Sequence, residues 1–171
     1  MTRNPRWIFA AVFLACVCLV AFGLYLQHAK GLEPCPMCIL QRYAFVAIAA
    51  IALAAAVHGP GRAGRIAYGG SLSIAAVTGG AIAGRHVYLE HNPPDLYDCG
   101  ADLGYMLESF PLADLLPMIF RGTGDCTKVP WRFLGLSIAE WALIWFAIFL
   151  VAAVLAILLG ARRSLRSAPN R

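Results

Sequence analysis

Glu33-Pro34-Cys35-Pro36-Met37-Cys38-Ile39-Leu40-Gln41-Arg42 joins an apolar run that ends near Leu26 to a second that begins at Ile39. A Cys-x-x-Cys pair at that junction places thiol chemistry at the surface of whatever the two runs are buried in. No alternating strand and helix pattern surrounds the pair, so an autonomous thioredoxin-like site is not the reading. The rest of the chain is weighed by what it supplies to these two cysteines.

The two runs belong to a set of four. Apolar stretches at about 7–26, 39–57, 66–84 and 138–159 reach or approach the roughly 20 residues that cross a bilayer as helix. Of the 171 residues 60% are hydrophobic and 13% charged, whereas a soluble domain is about half apolar and about a quarter charged. The expected fold is therefore an all-α membrane protein, a four-helix transmembrane bundle forming one integral-membrane domain over residues 1–171. The net charge of +5 is spread along the chain and does not gather with aromatics into a nucleic-acid-binding face.

Charge sets the orientation in the lipid bilayer. Arg3, Arg6, Arg62, Arg65, Arg162, Arg163, Arg166 and Arg171 lie on segments 1–6, 58–65 and 160–171 with no acid among them. The remaining six basic residues and all nine acids fall on segments 27–38 and 85–137 or at their boundaries, where Arg42 and Glu140 lie close to helix ends. The positive-inside rule makes both termini cytoplasmic and the two other loops external. The basic start and Ala21-Phe22-Gly23 resemble a signal peptide, but the apolar run outlasts a signal core, so an uncleaved anchor is expected.

Along the chain, Cys16 and Cys18 point about 200° apart on a helix and read as small buried apolar side chains. In the third stretch, spacing by four puts Ala76, Gly80 and Gly84 on one side for close helix packing. Arg85, His86, Glu90 and His91 then leave the membrane. The long external loop carries Leu112, Leu115, Leu116, Ile119 and Phe120 at helical spacing, interrupted by Pro117, a short amphipathic segment that suits the interface plane. A loop collapsed onto its own bundle reads equally well. Ser137-Ile138-Ala139-Glu140 has the spacing of a capping box, and Trp131, Trp141 and Trp145 suit an aromatic belt.

Four cysteines remain on the external side: Cys35, Cys38, Cys99 and Cys126. That is a compartment where disulfides persist. Pro36 is tolerated in a first helical turn, so a helix beginning at the motif leaves amides and a positive dipole end near the sulfurs, favouring thiolate. Arg42, four residues after Cys38, can lower a cysteine pKa, stabilise an oxyanion on a bound electron acceptor, or simply snorkel. A bond between Cys99 and Cys126 would enclose 28 residues, worth about 3–4 kcal/mol as a structural staple; two pairs on one side also invite exchange. A four-cysteine zinc site is disfavoured because structural sites usually show two close-spaced half-sites. His28, His58 and His86 lack ligand spacing and read as surface or interface residues, while the role of His91 stays open.

Taken together, Glu33-Pro-Cys35-Pro-Met-Cys38-Ile-Leu-Gln-Arg42, Tyr88-Leu-Glu-His91, Cys99, Gly124-Asp-Cys126 and Phe133-Leu-Gly-Leu136 with Trp141 resemble the DsbB family of bacterial inner-membrane, quinone-dependent thiol oxidoreductases. The resemblance covers nearly the whole chain and implies a relay. A periplasmic thioredoxin-like oxidase of the DsbA type would attack a Cys99–Cys126 disulfide at Cys99, Cys126 would exchange with Cys35, and Cys38 would face a membrane quinone, ubiquinone or menaquinone. Arg42 resembles the family's quinone-polarising arginine, and His91 matches a family histidine near the quinone. A paralogue serving one specialised partner, and a non-enzymatic protein with two structural disulfides, are the alternatives. A vitamin-K-epoxide-reductase-like enzyme is disfavoured, because there the loop cysteines precede the helix carrying Cys-x-x-Cys.

Overall fold

A computed structural model describes residues 6–32, 34–92 and 131–166, the last helix beyond residue 159 as backbone only. Cys99, Cys126 and the amphipathic stretch at 112–120 lie outside the described residues. Four helices, each long and apolar enough to cross a membrane, make up the bundle: α1 (Arg6–Lys30), α2 (Pro36–His58), α3 (Arg62–His91) and α4 (Ile138–Arg166). The protein is an all-α, multi-pass membrane protein, as composition and hydropathy predict.

The helix ends follow local chemistry. α2 begins at Pro36 with Cys35 as its N-cap, and α1 and α2 end at glycines with positive φ, Gly31 (64°) and Gly59 (55°). α3 runs to His91, seven residues beyond the apolar stretch that marks it in the sequence, and stops at Asn92 just before Pro93. A residue preceding proline is pushed out of the helical region, which explains the stop. At the start of α4 the capping box forms as its spacing predicts: the Ser137 amide donates to Glu140 Oε2 at 2.7 Å, and the Glu140 amide to Ser137 Oγ at 3.2 Å.

Ahead of that cap lies an element the sequence reading does not anticipate, a two-residue hairpin of β1 (Arg132–Phe133) and β2 (Leu136–Ser137). Arg132 pairs with Ser137 and Phe133 with Leu136. Leu134 and Gly135 turn the chain with φ of 52° and 83°, the paired positive values of the tight hairpin turn that matches strand twist.

α3 packs against α4 and α2, and α1 against α2, whereas α1 and α4 meet at few residues. The core is built from Phe9, Phe45, Ile48, Leu72, Phe146 and Phe149, with Phe45 stacked on Phe146 at 4.3 Å between ring centroids. Cys16 and Cys18 face opposite ways as expected, but only Cys16 is buried; Cys18 is exposed on the outside of the bundle, since two positions on a helix cannot both face the core.

The small-residue face of α3 differs from the expected one. Gly69, Leu72, Ala76, Gly79, Ala83, His86 and Leu89 are the buried positions, while a Cβ on Gly80 would make ordinary contact with Phe146 Cβ at 3.6 Å and one on Gly84 would meet nothing within 4 Å. Their steps of three and four stay close to the repeat of about 3.5 that keeps one seam facing a partner in a left-handed bundle, and a strict spacing of four drifts off it. At Gly79 an added Cβ would stand 2.3 Å from Phe146 Cε1, and at Gly69 2.5 Å from Ile157 Cγ1. Phe146 is 1% exposed and has nowhere to go. Gly79→Val is therefore expected to destabilise the bundle by about 1–3 kcal/mol through overpacking, read as a lowered Tm of the detergent-solubilised protein. Gly84→Ala should leave Tm unchanged or raised.

Candidate active site

The N-terminus of α2 holds the cysteine pair. Cys35, in extended conformation (φ −67°, ψ 161°), caps the helix with its own sulfur, which accepts from the Cys38 amide at 3.3 Å. Pro36 occupies the first turn, where its missing N–H costs nothing. The two Sγ atoms are 2.9 Å apart. Two thiolates on a tetrahedral zinc with Zn–S near 2.3 Å would stand about 3.8 Å apart, so the spacing is that of a pair poised for S–S chemistry. The sulfurs also sit where first-turn amides and the helix dipole favour negative charge.

A second set of side chains converges on Cys35 from α3. His86, 3% exposed, places Nε2 3.7 Å from Cys35 Sγ and Nδ1 3.1 Å from the amide nitrogen of Gln41. Glu90, one turn on, brings Oε1 to 3.7 Å from the same Nε2. Below them Met37 and Leu89 pack with Cys35 in a small apolar cluster. No buried side-chain nitrogen or oxygen among the described residues lacks a hydrogen-bond partner, so this polar group inside an apolar bundle is satisfied.

Arg42 stands on the other flank. Its Nη1 donates to Gln27 Oε1 and its Nη2 to Gly23 O at 3.0 Å, both on α1. A Cβ on Gly23 would approach Arg42 Nε to 3.4 Å, so the glycine leaves the guanidinium room to lie along α1.

Between these groups, where α1 and α4 leave the bundle open, lies a cavity of about 580 Å³. Leu19, Val20, Phe45, Ala142 and Trp145 are among its apolar lining; Cys35, Cys38, Gln41, Arg42, His86 and Glu90 give it a polar side. A wall of aromatics crosses from α1 to α4: Phe22 edge-on to Trp131 at 5.7 Å, Trp131 stacked on Phe133 at 5.8 Å, and Phe133 tilted against Trp141 at 6.2 Å. Trp141 Nε1 donates to Phe133 O at 3.1 Å, tying the hairpin to α4. The volume falls within the range of small-molecule sites, roughly 300–1,000 Å³. Its lining suits a largely apolar molecule with a polar end.

Of the expected site residues, the structure brings Cys35, Cys38 and Arg42 to one cavity. His91 is exposed on the last turn of α3, with Nδ1 2.9 Å from Val87 O, and is not among the described lining residues. His86 corrects the expectation of a surface or interface residue without a place in the site: it is buried against Cys35. His86 is buried in register with Ala76, Gly79 and Ala83, a seam that spacing by four does not pick out. Gln41, Glu90, Gln27 and the Trp131–Phe133 segment were likewise not singled out for this site.

Four membrane-length helices around a Cys-x-x-Cys on the wall of a largely apolar cavity define a class, the multi-pass membrane proteins equipped for thiol chemistry at one end of the bundle. Within that class the chain belongs to the DsbB family: the family model described as disulfide bond formation protein DsbB matches residues 5–156. The chain is 54% identical over 164 residues to the disulfide bond formation protein B of Azoarcus sp. (strain BH72), covering 95% of this chain and 97% of the relative. It is 56% identical over 154 residues to that of Aromatoleum aromaticum, covering 90% and 93%. Against that of Marinobacter nauticus the identity is 44% over 156 residues, covering 91% and 93%.

Proposed function

We propose that this protein reoxidises a periplasmic thioredoxin-like dithiol oxidase of the DsbA type and passes the electrons to a membrane quinone. The observation that carries this reading is the position of Cys35 and Cys38: a helix-capping pair on the wall of an apolar cavity, beside a fixed cation, at the open side of the bundle. The distribution of arginines supports an inner-membrane orientation with cytoplasmic termini and an external cysteine pair.

In this relay the partner's thiolate attacks a Cys99–Cys126 disulfide at Cys99, freeing Cys126. Cys126 then attacks Cys35 of the Cys35–Cys38 disulfide, and Cys38 leaves as a thiolate. The partner's second thiolate displaces Cys99 from the mixed disulfide, and Cys99 attacks Cys126, re-forming the loop disulfide and expelling Cys35 as a thiolate. Exchange of this kind needs only a reachable sulfur and a stable leaving thiolate, and first-turn amides supply the stability. A quinone bound in the cavity supplies a two-electron, two-proton acceptor. Arg42, held by Gln27 and Gly23 O, keeps its charge at the wall where negative charge grows on the acceptor, and in a poorly solvated site that charge acts strongly. The apolar lining and the aromatic wall keep water from the sulfurs. His91, one turn beyond Val87, is assigned a place near the acceptor on the resemblance alone.

The test is anaerobic turnover of the purified protein with a reduced thioredoxin-fold dithiol oxidase, in separate arms with ubiquinone, with menaquinone and without quinone. Catalytic partner oxidation matched mole for mole by quinol is expected in a quinone arm. Partner oxidation that stops after the protein's own disulfides are consumed, in every arm, would remove the quinone from the relay, and no partner oxidation at all would leave the cysteines a structural role.

A further inference from the structure

Between Cys35 and the far wall of the cavity stands a buried imidazole that the relay does not use. His86 is 3% exposed and lies 51 residues after Cys35 in the chain, yet its Nε2 contacts Cys35 Sγ at 3.7 Å. Both ring nitrogens are engaged. Gln41 holds Nδ1 at 3.1 Å from α2, and Glu90 Oε1 lies 3.7 Å from Nε2 on the helix that carries His86 itself. Glu90 is in turn reached by Ser137 at the head of α4 and by the charges of Glu140, His91 and Arg132. Cys38, on α2, completes the set of titratable groups beside this contact.

We propose that His86 is a further catalytic residue of this site, the acid–base partner of Cys35. When Cys35 goes from thiol to thiolate, the S–H bond breaks and an N–H bond forms at His86 Nε2. One proton moves, no electron does, and a neutral thiol–imidazole pair becomes a thiolate–imidazolium pair. The return step protonates the thiolate from the same nitrogen. The relay calls on this twice: Cys35 must lose its proton before it can close the bond to Cys38, and it leaves as a thiolate when its bond to Cys126 breaks. Catalytic cysteines elsewhere are activated by histidine in the same way, through a nitrogen within hydrogen-bonding reach.

The surroundings fit that task. A buried imidazolium is tolerated only beside negative charge, and it has the Cys35 thiolate on one side and Glu90 on the other. The two ends of a glutamine amide fill the same space. With its oxygen turned to Nδ1, Gln41 accepts from the ring and leaves Nε2 to exchange its proton with sulfur. The same contact also joins α2 to α3, so a purely packing histidine is the competing account. Only a titration separates the two.

The experiment uses the full-length protein in detergent with Cys38→Ser, reduced, so that Cys35 has no vicinal partner. The rate of iodoacetamide alkylation at Cys35 is followed against pH, with the modified peptide identified by mass spectrometry. Against this parent, His86→Gln is expected to raise the midpoint of the Cys35 profile by about one pH unit and to slow alkylation near neutrality about tenfold. His86→Ala should do the same, and Glu90→Gln should produce a smaller shift in the same direction. Glutamine keeps a polar contact to Gln41 and serves as the deciding variant if alanine loosens the bundle. An unchanged midpoint in folded His86→Gln overturns the assignment and leaves His86 as a packing residue. The inference rests on the relay for its use, but the assay contains neither quinone nor partner, so its failure leaves the relay standing and failure of the relay leaves the titration interpretable.

Discussion

Cys38→Ser is expected to abolish quinone reduction, by on the order of 10³-fold or more, in a protein that still folds. The loss is large because the hydroxyl cannot take the place of a sulfur that must form and break an S–S bond, and the removal of a reacting atom is not compensated by its neighbours. The fold is spared because Cys38 is only partly buried and the Cys35 cap, made to the backbone amide of residue 38, does not involve its side chain. Cys35→Ser sharpens the contrast. Serine is a better N-cap than cysteine, so α2 should start as well or better while the activity is lost equally. Helical circular dichroism and Tm of both variants, measured beside quinol formation, separate chemistry from structure. A protein using these cysteines only as a structural staple would show the reverse, with Tm falling.

Arg42→Gln carries the second large effect. The guanidinium donates to Gln27 Oε1 and Gly23 O, and it lines the cavity with Cys38. Removing its charge should lower kcat/KM for quinone by about 10²-fold, the scale seen when one fixed electrostatic partner is taken from a site where charge develops. Arg42→Lys keeps the charge but loses the planar fork that spans Gln27 and Gly23, so it is expected to fall between wild type and Arg42→Gln. Steady-state kinetics against quinone concentration checks this. If the lysine and glutamine variants were equally impaired, the anchoring of α1 to α2 would be the residue's contribution rather than its charge.

Much of the bundle was legible in the sequence because membrane crossing is a property of single segments. A run of about 20 apolar residues announces a span on its own, and Ser137 with Glu140 announces a helix start within one turn. Pro36 after Cys35 likewise placed the helix start at the motif. What the sequence hid is what depends on contacts between segments. The spacing of four that picked out Gly80 and Gly84 drifts off the buried seam, so the closest approaches to Phe146 and Ile157 fall at Gly79 and Gly69, with Gly80 in ordinary contact with Phe146 and Gly84 facing open space. His86 was set aside because it has no ligand spacing with another histidine. Its partners are Cys35 and Gln41 on a different helix, and no period along one chain reports such a meeting. The cavity was hidden for the same reason, since it exists where α1 and α4 do not pack. The hairpin rests on Leu134 at positive φ, a position where the turn signal is carried by Gly135 alone.

The central claim is that Cys35 and Cys38, by themselves, deliver two electrons to a quinone in the cavity between α1 and α4. It is tested most directly by anaerobic single turnover of a prereduced protein in which Cys99 and Cys126 are both serine. Addition of quinone is predicted to yield one quinol and one Cys35–Cys38 disulfide per chain, by quinol absorbance and by thiol counting on the isolated peptide. Quinone left unreduced, with both thiols still titratable, would contradict it.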